Sequence, residues 1–420
     1  MRIIFWLSLV GILYTYLGYP FLVWALSKLR PRPWRSSPNH PSVSIVLAVH
    51  NGADLLPQKI RHLLELDYPN IREIIIVSDG STDATDELLS RIQHPLLNTI
   101  ILKEHAGKAV AVNAGVSRAS GEVILFVDIR PEIAPGAIQK LVNNFADSEI
   151  GCVAGELILR RQDADVASGA VGSLYWRYEQ WIRRCESVID SPVGVYGGFY
   201  AVRRALVEPQ PAGMILDDMF QPLSIIRKGY RSVLDSSANV YDAWPKTTGA
   251  EFHRKVRTLA GNFQLFQFAP WTLTLQNRVL FQLVSHKVLR LLAPYLMTIL
   301  LMAALVLSPG SRFYTIFAAA QVLSLVIAIL GLRFRIPGLR VLCAPTSALL
   351  LLNIAAATGL YKYLFIRGPL WKIWTEANAR PSSLQVDPTP GFVTADTTSD
   401  VQNRPVPQKE SACPAEVRLS

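Results

Sequence analysis

The sequence has few charged residues and few cysteines for its length. Of its 420 residues, 18% are Asp, Glu, Lys or Arg and half are apolar. Soluble globular chains carry about a quarter charged residues, so the composition argues against an ordinary soluble enzyme. The four cysteines are far apart and form neither a CxxC pair nor a metal-ligand cluster, which argues against a cysteine-rich zinc site. We expect unpaired thiols in a reducing compartment.

Charge is missing altogether from four long apolar runs. Each is long enough to cross the hydrocarbon core of a bilayer as a helix, and together they cover residues 3–27, 291–311, 313–332 and 341–361. We expect three or four of them to span a membrane. The first run is longer than a usual signal-peptide core, and bulky Phe21–Trp24 leads into the loosely matching cleavage site Ala25–Ser27, so we interpret it as a retained anchor.

Basic residues beside these runs predict an orientation. Four of them lie between positions 28 and 35, so the positive-inside rule places residues from about 33 to 285 on the cytoplasmic side of a cell membrane that the chain crosses several times. Simple alternation then sends the four basic residues between positions 362 and 380 outward, against the same rule. The side of the C-terminus therefore stays open.

The net charge of +10 raises the question of a nucleic-acid partner. The cations lie beside the apolar runs and on predicted helices, without an interleaved recognition motif. Attraction to anionic lipids explains this placement, so we expect membrane lipids and no nucleic acid among the partners.

Between residues 43 and 147 the pattern alternates strands and helices. Short apolar runs at Val43–Val49, before Asp79, at Thr99–Leu102 and before Asp128 predict buried strands. Such a series gives a parallel sheet clad by helices, in the α/β class. Asp79 and Asp128 stand at the carboxyl ends of their strands, where open α/β sheets bind ligands. Two acids at this edge suit a ligand with a sugar, a diphosphate and a divalent cation.

Three motifs follow one another in this region. They are Ser44–Asn51, Val77–Asp83, and Gly107–Ala109 with Asn113–Gly115. In this order they resemble the membrane-bound glycosyltransferases of family 2, which include cellulose, chitin, hyaluronan and poly-N-acetylglucosamine synthases, and the resemblance extends from about residue 43 to 265. It implies a GT-A nucleotide-sugar-binding domain with a parallel-rich sheet, flanked by α-helical transmembrane segments. The expected domains are an anchor over 1–32, the cytoplasmic GT-A domain over 33–285, a transmembrane bundle over 286–377 and a disordered tail over 378–420.

The resemblance assigns donor-binding roles. It implies that Asp79 binds the uracil or ribose end of a nucleotide sugar, that Lys108 binds substrate, and that Asp128 opens the DxD motif, whose acids hold Mg²⁺ or Mn²⁺ against the diphosphate. For Asp79 a turn residue is the alternative interpretation. Arg130 stands where the second acid of DxD is expected, and its planar guanidinium either pairs with a phosphate oxygen or points to solvent.

Two later segments complete the resemblance. Ile215–Asp218 matches the TED segment, which makes Asp218 the general base for the acceptor hydroxyl, although acids at a helix N-terminus are the alternative. Arg254–Thr258 stands in the place of the QxxRW motif and keeps only Arg257 of it. Arg254 and Arg257 are expected to bind the departing phosphate, whereas a juxtamembrane basic residue is the alternative for Arg257.

One predicted helix is crowded with aromatic residues, namely Tyr175, Trp176, Tyr178 and Trp181. Sugars stack on aromatic faces, so Trp181 is a candidate for acceptor binding. Amphipathic aromatics also anchor helices at the bilayer interface, and composition does not separate the two.

The function predicted from these residues is inverting transfer of a sugar from a nucleotide diphosphate sugar, expected to be a UDP-sugar, to a saccharide acceptor. The expected setting is polysaccharide or cell-envelope glycan synthesis, with polysaccharide export or assembly subunits as possible partners. The alternatives are transfer of a single sugar to a lipid acceptor and a catalytically inactive membrane assembly subunit.

Overall fold

The structure is a computed structural model that describes residues 1–160, 166–243, 248–333, 340–365 and 370. Its strands are β1 (Val43–Val49), β2 (Ile71–Asp79), β3 (Leu97–Leu102), β4 (Val123–Val127), β5 (Glu132–Ile133), β6 (Ile150–Arg160), β7 (Phe199–Arg203) and β8 (Arg231–Ala243). They form one sheet in the order β3-β2-β1-β4-β7-β6-β8-β5.

Helices connect and flank these strands. In chain order they are α1 (Arg2–Leu13), α2 (Tyr19–Leu29), α3 (Leu56–Leu64), α4 (Thr85–Arg91), α5 (Lys108–Arg118), α6 (Ala137–Asn143), α7 (Val166–Ile189), α8 (Asp217–Arg227), α9 (Thr248–Phe268), α10 (Leu280–Leu283), α11 (Leu289–Leu307), α12 (Arg312–Arg333) and α13 (Arg340–Phe365). Two π-helical turns, Tyr14–Gly18 and Val284–Val288, lie between α1 and α2 and between α10 and α11.

The half of the sheet formed by β3, β2, β1 and β4 is parallel, as the sequence predicts. Strand β7 runs antiparallel to β4 and β6, while β6 and β8 are parallel. The predicted parallel-rich sheet is confirmed, and the antiparallel β7 makes it mixed. Because Phe199 pairs with Val127, the chain enters β7 beside the carboxyl end of β4.

The central strands are buried on both faces, which explains their nearly continuous apolar sequences. Ile45 and Leu47 of β1 pack into a core on one side of the sheet, with Leu63 of α3. Val46 of the same strand packs into the core on the other side, with Val112 of α5. This double burial fixes the register of the strands and the position of the loops at their carboxyl ends.

Four helical segments are long and apolar enough to cross a membrane, by length and composition: Arg2–Leu29, Leu280–Gly310, Arg312–Leu332 and Pro345–Phe365. They contain most of each of the four apolar runs of the sequence. Helix α1 packs against α11, and α9 packs against α13. The boundaries predicted at residues 32, 285 and 377 stay predictions, and the predicted tail lies outside the described residues.

A buried polar network joins two of the candidate membrane spans to α7. Nδ1 of His286 lies 2.7 Å from Oε1 of Glu186, and Nε2 lies 3.1 Å from Oε2 of Glu179. The hydroxyl of Tyr19 donates to Oε1 of Glu186 over 2.5 Å, and Lys287 and Arg290 pair with Glu179. Such a network holds α7, and with it the sheet, at a fixed position on the membrane helices.

The cysteines are spread over the fold. Cys152, Cys185 and Cys343 carry free thiols, and Cys413 lies outside the described residues. Burial raises the pKa of Cys152 to about 12, so this thiol stays protonated and unreactive at neutral pH.

Candidate active site

Three charged residues converge at the carboxyl edge of the parallel half-sheet. Lys108 is the first residue of α5, Asp128 follows β4, and Asp217 is the first residue of α8. Nζ of Lys108 lies 3.0 Å from Oδ1 of Asp128 and 3.1 Å from Oδ2 of Asp217. The fold thus brings together segments that are up to 109 residues apart in the sequence.

The two carboxylates keep Lys108 charged. Burial lowers the pKa of this ammonium, but Asp128 and Asp217 outweigh that effect and raise it above its ordinary value. The side chain still exposes 38% of its surface. A permanent cation is therefore accessible at the edge of the sheet, where an anionic ligand could bind it.

Asp79 holds the loop that precedes Lys108. Its carboxylate accepts hydrogen bonds from the backbone N–H of Ala106 at 2.8 Å and of Gly107 at 2.9 Å, and Nδ1 of His105 lies 2.8 Å from Oδ2. The residue is only 2% exposed. Direct binding of a nucleotide by Asp79 stays a prediction.

The turn after Asp79 needs its glycine. Gly80 has φ +58°, and a Cβ there would lie 2.3 Å from the backbone of Glu104 and His105. The Asp-Gly pair thus acts as a turn and as an anchor for a second loop. The interpretation of Asp79 as a turn residue, made from the sequence, explains the turn but not the anchoring of the second loop.

Arg130 lies beside a partner that the sequence did not suggest. Its NH2 is 3.1 Å from Oδ2 of Asp242, near the end of β8, and its side chain is 55% exposed. The predicted contact with a phosphate oxygen stays a prediction. In this structure Arg130 neutralises a nearly buried carboxylate.

The acidic residues at this edge fit a metal ion only if a substrate supplies the remaining ligands. Among the described residues, no three His, Cys, Asp or Glu side chains are grouped so that they could hold an ion. Asp128 offers one carboxylate that is 41% exposed. Mg²⁺ is commonly bound by one or two carboxylates together with the phosphates of a substrate. The residues therefore fit an ion shared with a diphosphate, rather than a closed protein site.

Asp217 and Asp218 lie side by side in the first turn of α8 but in different surroundings. Asp217 is buried against Lys108, whereas Asp218 is partly exposed. The loop before β7 runs past Asp218: the N–H of Val195 donates to its backbone oxygen at 2.9 Å, and a Cβ on Gly197 would lie 3.6 Å from Oδ2. Of the two residues, Asp218 is the more exposed.

The environment of Asp218 suits a base. Burial and the neighbouring Asp217 raise its pKa to about 6, while the positive charges of Arg183, Lys108 and Lys287 oppose the rise. At neutral pH the carboxylate is ionised and more basic than an exposed aspartate. A positioned base of this kind can accept a proton from a hydroxyl as a bond forms to its oxygen.

Arg254 and Arg257 lie on α9. Burial lowers the pKa of Arg257, while the carboxylates of Asp217, Asp218 and Asp128 raise it. This arginine also lines a small pocket with His253 and Lys362. Arg254 is close enough to lower the pKa of Arg257. Both arginines thus add positive potential beside the acids.

Trp181 lies on α7, 37% exposed. The aromatic neighbour Tyr178 donates from its hydroxyl to the backbone oxygen of Tyr16, next to α2. Trp176 instead lines a pocket with Tyr196. The acceptor role predicted for Trp181 stays a prediction, and Trp176 is the tryptophan nearer to the loop that passes Asp218.

Comparisons with known proteins concern mainly the sheet domain. Residues 44–208 match the sequence pattern of glycosyl transferase family 2. The poly-beta-1,6-N-acetyl-D-glucosamine synthase of Staphylococcus aureus is 26% identical over 231 residues, which cover 53% of this chain and 55% of the relative. That of Staphylococcus epidermidis is 23% identical over 236 residues, which cover 55% and 57%. The chain thus spans about half the length of the curated relatives it matches.

A solved structure shares more of the fold. A mannosyltransferase from Pyrobaculum calidifontis, solved in complex with GDP-Man and Mn²⁺, superimposes with a TM-score of 0.64 at 22% identity. The match covers 86% of this chain and 99% of that chain, so it includes helices outside the sheet domain.

Proposed function

We propose that this chain, whose residues 44–208 form a family 2 glycosyltransferase domain on a GT-A-like mixed sheet, transfers a sugar from a nucleotide diphosphate sugar to a saccharide acceptor. One observation carries the proposal: Lys108, Asp128 and Asp217 converge beside the partly exposed residue Asp218. A cation for a diphosphate and a base for a hydroxyl therefore lie at one edge. The names of the staphylococcal relatives support a saccharide acceptor and a role in polysaccharide or cell-envelope glycan synthesis.

The donor would bind with its diphosphate against Lys108 and Asp128. Arg254 and Arg257 would add positive charge for the departing phosphate, and the loop held by Asp79 would position Lys108. A uridine diphosphate sugar is the proposed donor. Arg130 already pairs with Asp242 through one guanidinium nitrogen, so we give it a secondary role.

The proposal includes a divalent cation that is shared between the protein and the donor. Asp128 would hold Mg²⁺ or Mn²⁺ together with the donor diphosphate, and the ion would neutralise charge on the departing nucleotide. The presence of Mn²⁺ in the Pyrobaculum structure supports this choice.

The metal proposal predicts how nucleotide affinity responds to EDTA. In the wild type, removal of divalent cations should weaken UDP binding about tenfold or more, because the charge between Asp128 and the diphosphate is no longer bridged. The Asp128→Asn variant should lose most of this metal dependence. Calorimetric titration with UDP, with and without Mn²⁺, measures both effects, and Asp54→Asn, which changes an exposed aspartate, is the control. Equal affinities for UDP in the wild type with and without Mn²⁺ would contradict the metal proposal. Lys108 and the arginines would then be the proposed counter-charges of the diphosphate.

The proposed reaction is a direct displacement with inversion. An acceptor hydroxyl attacks the anomeric carbon, its proton passes to a carboxylate oxygen of Asp218, and the bond from the anomeric carbon to the diphosphate breaks. Lys108 and the α9 arginines stabilise the charge that develops on the leaving diphosphate. No covalent glycosyl-enzyme is needed, because one base and a neutralised leaving group suffice.

The pKa of Asp218 predicts the pH dependence of transfer. With a pKa of about 6, the rate should rise with pH through this value and then level off, because the protonated carboxyl cannot accept a proton. On the acid side each pH unit should lower the rate about tenfold. Initial rates are measured at saturating donor across this pH range. Donor binding measured over the same range shows whether the fall in rate at low pH comes from protonation of Asp218 or from weaker binding. A rate that is flat through pH 6 would remove Asp218 from the role of base.

The function itself is tested with the full chain in nanodiscs. UDP- and GDP-sugars are supplied with a β-1,6-linked N-acetylglucosamine trimer or with a polyprenyl phosphate, and product length is measured. Consumption of one donor with growth of the trimer supports saccharide transfer, and product length separates a polymer synthase from a single-sugar transferase. A membrane assembly subunit without activity is favoured if no donor is bound or consumed.

Location is proposed from the same features. The four candidate spans make this a membrane protein. The basic residues after the first span support a cytoplasmic site, where nucleotide sugars are available. Polysaccharide export or assembly subunits are the proposed protein partners.

A further inference from the structure

Two histidine rings are stacked at the carboxyl edge of the parallel half-sheet. His50 follows β1, and His105 lies between β3 and α5. Their ring centroids are 3.6 Å apart, and the ring planes differ by 11°. His50 is partly buried, and the side chain of His105 is 22% exposed. The stack therefore joins the loop after β1 to the loop that leads into Lys108.

Both rings contact the same backbone oxygen. Nδ1 of His50 lies 2.8 Å from the carbonyl oxygen of Asp79, and Nδ1 of His105 lies 3.1 Å from it. A carbonyl oxygen only accepts hydrogen bonds, so each Nδ1 carries a hydrogen and donates it. Nδ1 of His105 also lies 2.8 Å from Oδ2 of Asp79, so its hydrogen is shared between the carbonyl and the carboxylate. These contacts select one tautomer for both neutral rings.

The carboxylate of Asp79 extends this contact into the following residues. It accepts hydrogen bonds from the backbone N–H of Ala106 at 2.8 Å and of Gly107 at 2.9 Å. Gly107 has φ +95° and immediately precedes α5, whose first residue is Lys108. Three consecutive residues, from His105 to Gly107, are thus held on one aspartate. The point at which α5 begins is fixed by this loop.

The loop that carries His50 is tied to the turn after β2. Asn51 has φ +51°, a left-handed conformation that asparagine tolerates better than most residues. Its side-chain oxygen accepts a hydrogen bond from the N–H of Thr82 at 2.7 Å, and its N–H donates to the hydroxyl of Ser81 at 3.1 Å. Both partners of the histidine stack are therefore anchored on the segment that begins at Asp79.

The position of Lys108 is what this arrangement can control. Its Nζ lies 3.0 Å from Oδ1 of Asp128 and 3.1 Å from Oδ2 of Asp217. A lysine carries its charge on a flexible four-carbon stem, so the ammonium can be placed only as well as the backbone that bears it. Release of the loop from Asp79 would let the start of α5 shift and would move the cation away from the site of the proposed diphosphate.

We propose that the stacked pair of His50 and His105 positions Lys108 for the donor diphosphate. His105 holds the loop on Asp79, and His50 holds the ring of His105. Both are positioning residues, and neither ring is assigned a contact with the nucleotide sugar. The inference rests on the proposed function, because it assigns these residues to the donor site of that reaction.

A double-mutant cycle with Lys108 tests this role. His105→Phe keeps a ring against His50 and removes the hydrogen bonds to Asp79. It should raise the Kd for UDP in the presence of Mn²⁺ about tenfold. In the Lys108→Met background the same substitution should change the Kd by less than about twofold, because a positioning residue acts only through the group that it positions. Titration of the full chain in nanodiscs measures all four affinities.

Conservative variants separate the hydrogen bond from the ring. His105→Asn places a side-chain N–H where Nδ1 stands, counted in bonds from Cα, and should recover most of the affinity for UDP. His105→Gln carries its N–H farther along the side chain and should not. His50→Phe should raise the Kd about threefold, and the variant with both Phe substitutions should bind no more weakly than His105→Phe.

The pH dependence of transfer gives a second readout. Lys108 lowers the pKa of Asp218. Displacement of Lys108 in His105→Phe should therefore move the acid limb of the rate profile to higher pH, and His105→Asn should restore it. A loop that is merely less stable would leave this limb in place.

His94→Phe is the matched control. His94 is exposed and lies before β3, and its Nδ1 accepts a hydrogen bond from the backbone N–H of Leu96 at 3.2 Å. Its substitution should leave the Kd for UDP unchanged. An unchanged Kd in His105→Phe overturns the proposal, and so does an equal rise with and without Lys108. If His105→Phe does not fold, His50→Phe is compared in the two backgrounds with the same criteria.

Failure of this inference is distinguishable from failure of the proposed function. If the wild type binds and consumes no nucleotide sugar, the proposed function fails and the inference fails with it. If the wild type transfers a sugar and the histidine variants bind UDP as the wild type does, only the positioning role is wrong.

Discussion

Asp218→Asn is expected to lower the rate of sugar transfer by about 10²–10⁴-fold and to leave the affinity for the nucleotide sugar almost unchanged. The amide has nearly the same shape as the carboxylate but cannot accept the proton of the acceptor hydroxyl. Asp218 is the more exposed residue of the pair, while Asp217 is buried against Lys108. Single-turnover transfer and calorimetric titration with the donor measure the two quantities on the same preparation.

The alternative for Asp218 is an acid that only stabilises the N-terminus of α8. That role predicts a small loss of thermal stability and normal transfer. Glu87→Gln is a suitable control, because Glu87 lies in the first turn of α4 and is exposed. Normal transfer by Asp218→Asn, with a stability loss like that of Glu87→Gln, would support the helix role and exclude the catalytic one.

Lys108→Met is expected to weaken binding of the nucleotide sugar about 100-fold. The substitution removes the cation that lies between Asp128 and Asp217. The remaining carboxylates then repel the diphosphate that Lys108 is proposed to attract. Calorimetric titration of the donor measures the loss, with Lys140→Met, which changes an exposed lysine of α6, as the control.

A second effect of Lys108→Met separates its charge from its size. Lys108 lowers the pKa of Asp218, so its removal should move the acid limb of the rate profile to higher pH. Lys108→Arg keeps the charge and should keep the limb near its original position. Donor affinity and an acid limb that both match the wild type in Lys108→Met would reduce this residue to a structural counter-ion.

The sequence predicted the parts of the site that depend on neighbouring residues. The run Val43–Val49 is a strand within the same bounds, and Asp79 and Asp128 stand at strand ends as expected. A strand that is buried on both faces has a short, nearly continuous apolar sequence, so the strand and the residue at its end can both be recognised locally.

The contacts of these residues depend on the closed fold and could not be predicted. The partners of Asp79 are backbone N–H groups of Ala106 and Gly107, which no side-chain pattern announces. Lys108 meets Asp217 across 109 positions of sequence. Strand β7 pairs with β4 in the antiparallel sense, beyond the region where the βαβ pattern applies.

The tryptophans show how a helix divides one aromatic cluster. Trp176 and Trp181 are five residues apart, so on an α-helix they point about 140° away from each other. Trp176, Gln180 and Arg183 follow the spacing of one face, and all three line a pocket with Tyr196. Recognition of that face in the sequence would have separated Trp176 from Trp181 before the structure was known.

The network around His286 makes the sheet domain less modular than its compact core suggests. Tyr19 and His286, which both contact Oε1 of Glu186, belong to two of the candidate membrane spans. Excised as residues 33–285, the domain would keep Glu179 and Glu186 on α7 and lose these partners, and an uncompensated buried carboxylate is strongly destabilising. The same holds for a graft onto a foreign anchor. The candidate membrane spans are therefore structural components of the scaffold that holds the sheet domain.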